Sequence, residues 1–372
     1  MKPLGLTCML LSAAFVASAA DYLMYVGTYT GPKSKGIYVY RFQPATGEIT
    51  ELGLAGEVKN PSFLAIHPSG DYLYSADETR NGSVSAFRID RKSGKLRLLN
   101  SVSSHGSAPC ALSVDATGRN VLVANYGSGS IALLPVKADG SLEEASATDQ
   151  HKGTGADPKR QEGPHAHSAD FPAGNRFALV ADLGLDKIFI YRFDPEKHTL
   201  ALNEPGFGSV PPGSGPRHVA FHPNGKFTYV INELNSTVTS FEWDGTKGAL
   251  KQLGTVSANT KDFKGETDGA EIQVHPSGKF VYASNRAEAN NIALFKADNK
   301  GGLTFVSTTP SGGLHPRYFG IDPTGAWLLA ANQDSNNIVL FRVDPTSGKL
   351  TPQGKPVEIS APVCVKFVAA AR

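Results

Sequence analysis

The sequence predicts an all-β fold, a seven-bladed β-propeller whose ring is closed by N-terminal strands pairing with the C-terminal strand. Three observations indicate this. A Gly-bearing turn recurs about every 50 residues, a second Gly-bearing turn recurs between its copies, and the two ends of the chain each carry part of one repeat. Such a period, with strand-like segments throughout, is typical of propeller blades.

The first turn joins two apolar strands and most often reads His/Asp-Pro-x-Gly. It occurs at 67–70, 115–118, 171–174, 222–225, 275–278 and 322–325, so its glycines lie 48, 56, 51, 53 and 47 residues apart. The second turn occurs at 44–47, 91–94, 138–140, 195–198, 245–248, 299–302 and 345–348. Proline fixes φ at the first corner of a turn and glycine supplies a positive φ, so both turns read as hairpins.

The incomplete repeat explains how the ring closes. An apolar strand at 362–368 has no partners after it, whereas strands at 23–26 and 37–40 have no first strand before them. Pairing the two ends in one sheet completes the seventh blade and leaves no open sheet edge. A closed ring also predicts a monomer.

The N-terminus differs from the rest of the chain. Lys2 is the only charge in residues 1–20, an apolar run covers 4–16, and Ala17-Ser18-Ala19 offers a small-residue cleavage site. This pattern predicts a signal peptide at 1–20, a single propeller domain at 21–372, and a periplasmic or secreted protein. A short buried N-terminal helix is the alternative, and the run is too short to favour a membrane anchor.

Composition excludes several classes of partner. The formal net charge is +2, or +1 once Lys2 is removed, and no block of like charges occurs. We therefore expect no nucleic-acid or membrane surface. Cys8 lies in the predicted signal, and Cys110 and Cys364 are too few for a disulfide framework and match no metal motif.

Strand geometry assigns each repeat position to one rim of the propeller. Adjacent antiparallel strands share their ends, so the start of strand one and the end of strand two lie on one rim, and both Gly-bearing hairpins lie on the other. Residues that recur serve the fold: His67, His222 and His275 form turns, and an Asn or Asp ends strand two in six blades, at 77, 125, 182, 232, 285 and 332.

Residues that break the repeat on the first rim are the functional candidates. The position after the proline of strand one holds Ser62, Cys110, His165, Arg217, Arg317 and Val363. The position after the repeated Asn or Asp holds Glu78, Tyr126, Leu183, Glu233, Arg286 and Gln333. Around this mouth the geometry predicts a ring of charged side chains: His165, His167, Arg217, Glu233, Glu271, Arg286, His315 and Arg317. A structural ion-pair network lining a wet channel is the alternative. The polar stretch at about 149–161 reads as an insertion that shapes the mouth.

These residue types suit an anionic, oxygen-rich small molecule. Arginine grips carboxylate or phosphate in paired hydrogen bonds, and a histidine or glutamate can act as a general base. No Gly-x-Ser-x-Gly elbow is present. His165 and His167 would project from one face of a strand, which suggests a metal if Glu271 or Glu233 adds a ligand. We favour a site without metal or other cofactor.

The sequence also resembles a known family, the seven-bladed β-propeller lactonases, which include bacterial 6-phosphogluconolactonase and fungal carboxymuconate cyclase. The matching stretches are 25–30 (Tyr-Val-Gly-Thr-Tyr-Thr), 36–40, 163–167 (Gly-Pro-His-Ala-His), 215–218 (Gly-Pro-Arg-His) and 276–286. The resemblance implies lactone hydrolysis. It places the catalytic residues at His165 or His167, Glu233, Arg217 and Arg286, with His or Glu as the base.

Two alternatives stay open at this point. One is an exported, non-catalytic propeller that binds a glycan or a protein, and the other is a lactone-forming cycloisomerase. The predicted signal peptide also leaves the substrate open, because an exported enzyme would rarely meet 6-phosphogluconolactone. Arg317, His315, Glu271, Tyr126 and Gln333 are the expected substrate-binding residues in the lactonase interpretation.

Overall fold

Seven four-stranded antiparallel sheets make up the protein, which is described here from a computed structural model covering residues 21–371. The innermost strand of each sheet contacts the innermost strand of the next, and the last of them contacts the first, so the sheets form a closed ring. The predicted seven-bladed β-propeller is therefore confirmed. The predicted signal peptide lies outside the described residues.

The strands, in chain order, are β1 (Tyr22–Thr28), β2 (Gly36–Gln43), β3 (Glu48–Glu57), β4 (Pro61–Ile66), β5 (Tyr72–Asp77), β6 (Ser83–Ile89), β7 (Leu96–Ser103), β8 (Pro109–Val114), β9 (Asn120–Asn125), β10 (Ser130–Pro135), β11 (Ala147–Gln150), β12 (Ala166–Asp170), β13 (Phe177–Asp182), β14 (Lys187–Asp194), β15 (Thr199–Ser209), β16 (Pro216–Phe221), β17 (Phe227–Asn232), β18 (Thr237–Asp244), β19 (Ala249–Ser257), β20 (Gly269–Val274), β21 (Phe280–Asn285), β22 (Asn291–Ala297), β23 (Leu303–Pro310), β24 (Pro316–Ile321), β25 (Trp327–Asn332), β26 (Asn337–Val343), β27 (Leu350–Glu358) and β28 (Pro362–Ala369). A single 3-10 turn, Leu183–Leu185, follows β13, and no α-helix occurs within residues 21–371. None of the described helical structure is long and apolar enough to cross a membrane.

Six blades use four consecutive strands each, and the seventh combines both ends of the chain. Its strand order is β28-β1-β2-β3, and β28 pairs antiparallel with β1 from Tyr22–Ala369 to Thr28–Pro362. This is the predicted closure of the ring. The outer strand of each blade is largely exposed, whereas the inner strands are buried and pack against the neighbouring blades.

The repeated histidines do more than form turns. In its own turn, His67 accepts a hydrogen bond at Nδ1 from the Ser69 amide (3.1 Å), while its Nε2 lies 3.0 Å from the Gly118 carbonyl of the next blade. His222 and His275 bond to Gly278 and Gly325 in the same way. Gly118 has φ +74° and packs directly on the His67 ring, so a side chain there would meet both backbone strain and a clash. These turns therefore also join blade to blade.

Candidate functional site

The site lies at one mouth of the channel, where each innermost strand begins with a bulge. Pro61 pairs with Asp77 and Phe63 with Ala76, so Ser62 between them has no partner residue. The same register shift leaves Cys110, Arg217 and Arg317 unpaired in their blades. A bulge changes the direction of the side chain that it carries. The same strand position can therefore direct a polar side chain toward the mouth in several blades.

One expected position is wrong. The sequence places His165 at the bulge because it follows Pro164, but β12 begins at Ala166 and the register shifts between Ala166 and Ser168. His167 therefore occupies the bulge, and His165 lies on the rim before the strand. Pro164 lies three residues before the bulge, whereas Pro61, Pro216 and Pro316 immediately precede the bulged residue of their blades.

Glu233 is the centre of the site. Its carboxylate accepts hydrogen bonds from Arg160 (Nη2 to Oε1, 2.5 Å) and Arg217 (Nε to Oε2, 3.1 Å), and it forms an ion pair with Arg286 (Nη2 to Oε2, 2.8 Å). His167 Nε2 lies 4.0 Å from the same Oε2 atom. Burial would raise the pKa of Glu233, but the arginines outweigh it and hold that pKa at about 2. At neutral pH this carboxylate is a fixed anion that orients three guanidinium groups.

Arg317 is the guanidinium with the most hydrogen-bonding capacity to spare. Its Nη2 lies 3.8 Å from Glu78 Oε2, and its guanidinium carbon lies 5.4 Å from the centre of the Tyr29 ring. Tyr29 donates a hydrogen bond to Glu78 (2.8 Å). Within residues 21–371, no group accepts a hydrogen bond from the Arg317 side chain. Its donors are therefore available to a ligand.

The mouth carries a surplus of positive charge. Four guanidinium groups, from Arg160, Arg217, Arg286 and Arg317, surround two carboxylates, Glu78 and Glu233. At the centre of the mouth, four positive and two negative charges leave a net charge of +2, while the more exposed carboxylates of Glu162 and Asp334 lie at its edge. Such a surplus in a concave, partly desolvated site attracts an anion.

His165 is oriented by Tyr126. The two rings stack with their centres 4.6 Å apart, and His165 Nδ1 lies 3.0 Å from the Tyr126 carbonyl oxygen. Because a carbonyl can only accept, Nδ1 carries the hydrogen and Nε2 keeps its lone pair in the neutral ring. Nε2 also lies 3.4 Å from the exposed Glu162 carboxylate. His165 is thus an available base with an anion beside it.

His167 is more deeply placed. It is buried against Tyr126, His218 and Cys110, with Nδ1 3.6 Å from the Cys110 sulfur. Burial, reinforced by Arg217, holds the pKa of His167 well below its ordinary value. Cys110 and Cys364 are both buried and form no disulfide.

Glu271 lies behind Arg217. His218 Nδ1 is 2.7 Å from Glu271 Oε2, and Gln273 donates to Oε1 (3.2 Å). On the far side of this pair, the channel widens into a cavity of about 480 Å³ whose polar lining includes Asp170, Tyr318 and Lys366. Both oxygens of Glu271 are therefore already engaged by protein groups.

His315 and Gln333 lie at the edge of the mouth. His315 Nδ1 is 3.5 Å from Asp334, and burial together with Arg286 lowers the pKa of His315 to about 4. The Gln333 amide nitrogen donates to Asp334 (3.0 Å), while its buried oxygen has no partner among the described residues. Among the described residues, no side-chain hydrogen bond or ion pair joins either residue to the Arg–Glu233 cluster.

Four residues that contribute to the mouth escaped prediction, and one of them, Glu162, lies beside His165. Arg160 comes from the segment between β11 and β12, which the sequence marked as an insertion without indicating which side chain reaches the channel. Tyr29 lies in the Gly-Thr-Tyr-Thr stretch, and His218 follows Arg217. Neither breaks a pattern that single-sequence reasoning could detect.

The possible metal ligands do not converge. In the part of the chain that the structure describes, no three His, Cys, Asp or Glu side chains are grouped as a metal ion would require. The oxygens of Glu233 and Glu271 instead face arginine, histidine and amide donors.

Comparison with known proteins gives a consistent result. Residues 23–367 match the family described as "Lactonase, 7-bladed beta-propeller". The 6-phosphogluconolactonase of Bacillus subtilis is 39% identical over 349 residues, covering 93% of this chain and 98% of the relative. The 6-phosphogluconolactonase of Formosa agariphila is 36% identical, covering 88% and 94%. The structure of the Pseudomonas aeruginosa periplasmic gluconolactonase superposes with a TM-score of 0.90 at 34% identity, covering 95% of this chain and all of that one.

Proposed function

Because the chain belongs to the seven-bladed β-propeller lactonases, we propose that it is a hydrolase that opens an anionic sugar lactone of the 6-phosphogluconolactone type. The family resemblance read from the sequence is confirmed. Relatives named for sugar-lactone hydrolysis support the hydrolase class. Family membership alone does not identify a substrate, so the choice rests on the site.

The observation that carries the proposal is the surplus of positive charge at the mouth. Glu233 fixes Arg160, Arg217 and Arg286 without neutralising them all, and Arg317 keeps its donors unused. The buried Arg286 Nε likewise has no partner among the described residues. These donors can bind the carboxylate or phosphate of a substrate and the oxyanion that develops on the lactone carbonyl.

His165 is the proposed general base. Its Nε2 takes a proton from water as the water oxygen attacks the carbonyl carbon, and Glu162 stabilises the imidazolium that forms. Collapse of the tetrahedral intermediate breaks the ester C–O bond. The proton then passes to the departing ring oxygen, which yields the hydroxy acid. Glu233, with a pKa of about 2, is too weak a base for this step.

The other candidate residues have supporting roles in the proposal. His167 packs between Tyr126 and Glu233 and shapes the floor of the mouth. Tyr126 orients His165, while His315 and Gln333 border the bound sugar. The sequence predicts that Glu271 binds substrate, but its contacts with His218 and Gln273 instead support a role behind Arg217.

The location and assembly of the protein complete the proposal. Residues 1–20 act as a signal peptide, and 21–372 form a single monomeric domain in the periplasm or outside the cell. A periplasmic relative of the same fold supports this location. The substrate would then be a lactone produced by sugar oxidation outside the cytoplasm.

Hydrolysis of a lactone panel by the purified mature protein tests the activity. The panel includes 6-phosphogluconolactone, gluconolactone and a lactone without charge, each read against spontaneous hydrolysis. We expect turnover that is fastest on an anionic member. An isomerised product of unchanged mass would indicate a cycloisomerase instead, and saturable binding without turnover would indicate a binding protein.

Two matched variants test the base. His165→Gln should lower kcat at least 100-fold with KM little changed, because only the proton acceptor is removed. His167→Gln should cost less, since that ring supports the mouth. The reverse order would overturn the assignment of His165.

A further inference from the structure

Behind the arginine cluster, three buried side chains form a chain of hydrogen bonds that leads away from the mouth. Arg217 Nη1 lies 3.1 Å from His218 Nε2, and His218 Nδ1 lies 2.7 Å from Glu271 Oε2. The three side chains are only 2%, 7% and 7% exposed. Arg217 thus contacts Glu233 on one side and His218 on the other.

The chemistry of the donors fixes the protons in this chain. A guanidinium can only donate, so His218 Nε2 must accept, and the hydrogen of the neutral ring must sit on Nδ1. Nδ1–H then donates to Glu271 Oε2, while Gln273 donates to Oε1. Both oxygens accept, which is the pattern of an ionised carboxylate.

From this geometry we infer that His218 and Glu271 are positioning residues: ionised Glu271 holds His218 as the Nδ1–H tautomer, and that tautomer fixes Arg217 in the mouth. The inference rests on the proposed function for its effect on activity. When Glu271 takes up one proton, the donor and acceptor in its hydrogen bond with His218 exchange roles. The carboxyl O–H donates to Nδ1, the ring hydrogen moves to Nε2, and an N–H then faces the N–H of Arg217.

The groups around Glu271 place its uptake of a proton near neutral pH. Glu271 is faced by Arg217 and His218 on β16, Lys366 on β28, Asp170 on β12 and Tyr318 on β24. Burial raises the pKa of Glu271 to about 8, with Lys366 and Arg217 opposing the rise. Burial and Arg217 keep the pKa of His218 well below its usual value, so the ring changes tautomer rather than charge.

Nitrogen NMR of histidine-labelled protein tests the inference directly. The His218 signal is identified by its absence from His218→Gln. We expect the Nδ1–H tautomer at pH 9.5 and a shift toward the Nε2–H tautomer at pH 6. Glu271→Gln should lock one tautomer at all pH values, whereas Asp170→Asn, a carboxyl in the same cavity, should leave the transition in place. A His218 tautomer that does not change with pH, or a transition that survives in Glu271→Gln, would overturn the inference.

The pH profile of turnover provides the second readout. Below the transition, kcat should fall by up to tenfold per pH unit in the wild type and in Asp170→Asn. In Glu271→Gln the part of the fall that follows the His218 tautomer should disappear, leaving only the fall caused by protonation of the base His165. If no lactone is hydrolysed, the proposed function fails while the NMR result still decides the inference. If lactones are hydrolysed but His218 keeps one tautomer, the inference fails alone.

Discussion

At the scale of single residues, Glu233 shows how a carboxylate can hold several guanidinium groups in place without exchanging protons. Three arginines reach it, and the pKa of about 2 keeps it ionised at neutral pH. A buried anion of this kind is tolerated only because it is paired. Its removal would leave like charges facing one another.

We predict that Glu233→Gln lowers turnover at least 100-fold, because Arg160, Arg217 and Arg286 lose the anion that holds them in place against their mutual repulsion. The variant should stay folded but lose about 3 kcal/mol of stability, since breaking a buried ion pair leaves uncompensated charge. Lactone hydrolysis and chemical denaturation measure the two effects. Glu242→Gln is the control, because Glu242 forms an exposed pair with Lys251. Full activity in Glu233→Gln would remove this residue from the site.

Most of the side chains that line the mouth could be predicted from the sequence, but the contacts that each one makes could not. Glu233 and Arg286 were found because they follow the repeated Asn of strand two, and strand geometry puts that position on the rim. Whether Glu233 is a base or an anchor depends on how many arginines reach it. One of these, Arg160, comes from a segment that has no equivalent in the other blades.

At the scale of elements, the last residue of the second strand is either Asn or Asp in six blades. Four blades have Asn there, whereas Asp77 accepts hydrogen bonds from Ser75 (2.6 Å), Ser83 (3.0 Å) and Ser85 (2.6 Å). Burial raises the pKa of Asp77 to about 6, although the serines oppose the rise. The folded protein therefore binds a proton here more readily than the unfolded chain, whose Asp pKa is about 3.9.

We predict that Asp77→Asn stabilises the protein at pH 8 by about 1–2 kcal/mol, because it removes a buried charge at a position that accepts Asn elsewhere in the ring. The sign follows from the raised pKa: the wild type gains stability as pH falls through 6 toward 4, and the variant does not. Denaturation at pH 8 and pH 5 measures this. The advantage should shrink at pH 5, and an advantage of equal size at both pH values would contradict the explanation.

The segment between β11 and β12 is held firmly enough to place a functional side chain. His151 Nδ1 lies 2.6 Å from Asp182, and Gln161 donates to the Leu183 carbonyl (2.7 Å) and to Asp186 (2.8 Å). Arg160 is 40% exposed yet reaches Glu233. The segment thus adds a cation at the outer edge of the mouth.

We predict that Arg160→Met raises KM for an anionic lactone about tenfold with a smaller effect on kcat, because two other arginines still hold Glu233. Steady-state kinetics on charged and uncharged lactones measure this. Lys159→Met, a change at an exposed neighbour in the same segment, should have little effect. An equal rise of KM on the uncharged lactone would show that Arg160 acts on the shape of the mouth rather than on substrate charge.

Elements were predictable where the repeat is regular. The recurring turns predicted the number of blades, and the unmatched strands at both ends of the chain predicted how the ring closes. Prediction failed where the spacing changes: Pro164 lies three residues before the bulge, so His167 rather than His165 occupies it. Equivalent residues in different blades can be assigned only where the spacing of the repeat is constant. The spacing changes in the blade that carries His165 and His167, which is part of the site.

At the scale of the whole molecule, closure of the ring brings the two ends of the chain together. The amide of Ala370 donates to the carbonyl of Asp21 (2.9 Å), and β28 pairs with β1 along its length. The ring therefore depends on β28 being present, and it does not depend on where the chain starts.

We predict that a circular permutant, with residues 21 and 372 linked and new termini between Asn299 and Lys300, folds and keeps its turnover. The hairpin at 299–302 lies on the rim opposite the site. Truncation after Ala361 should instead expose the edge of β1 and yield aggregated or oligomeric protein. Light scattering, thermal unfolding and lactone hydrolysis compare the two. A truncated chain that stays monomeric and unfolds cooperatively at the wild-type temperature would show that the inter-blade contacts, rather than the shared seventh sheet, hold the ring closed.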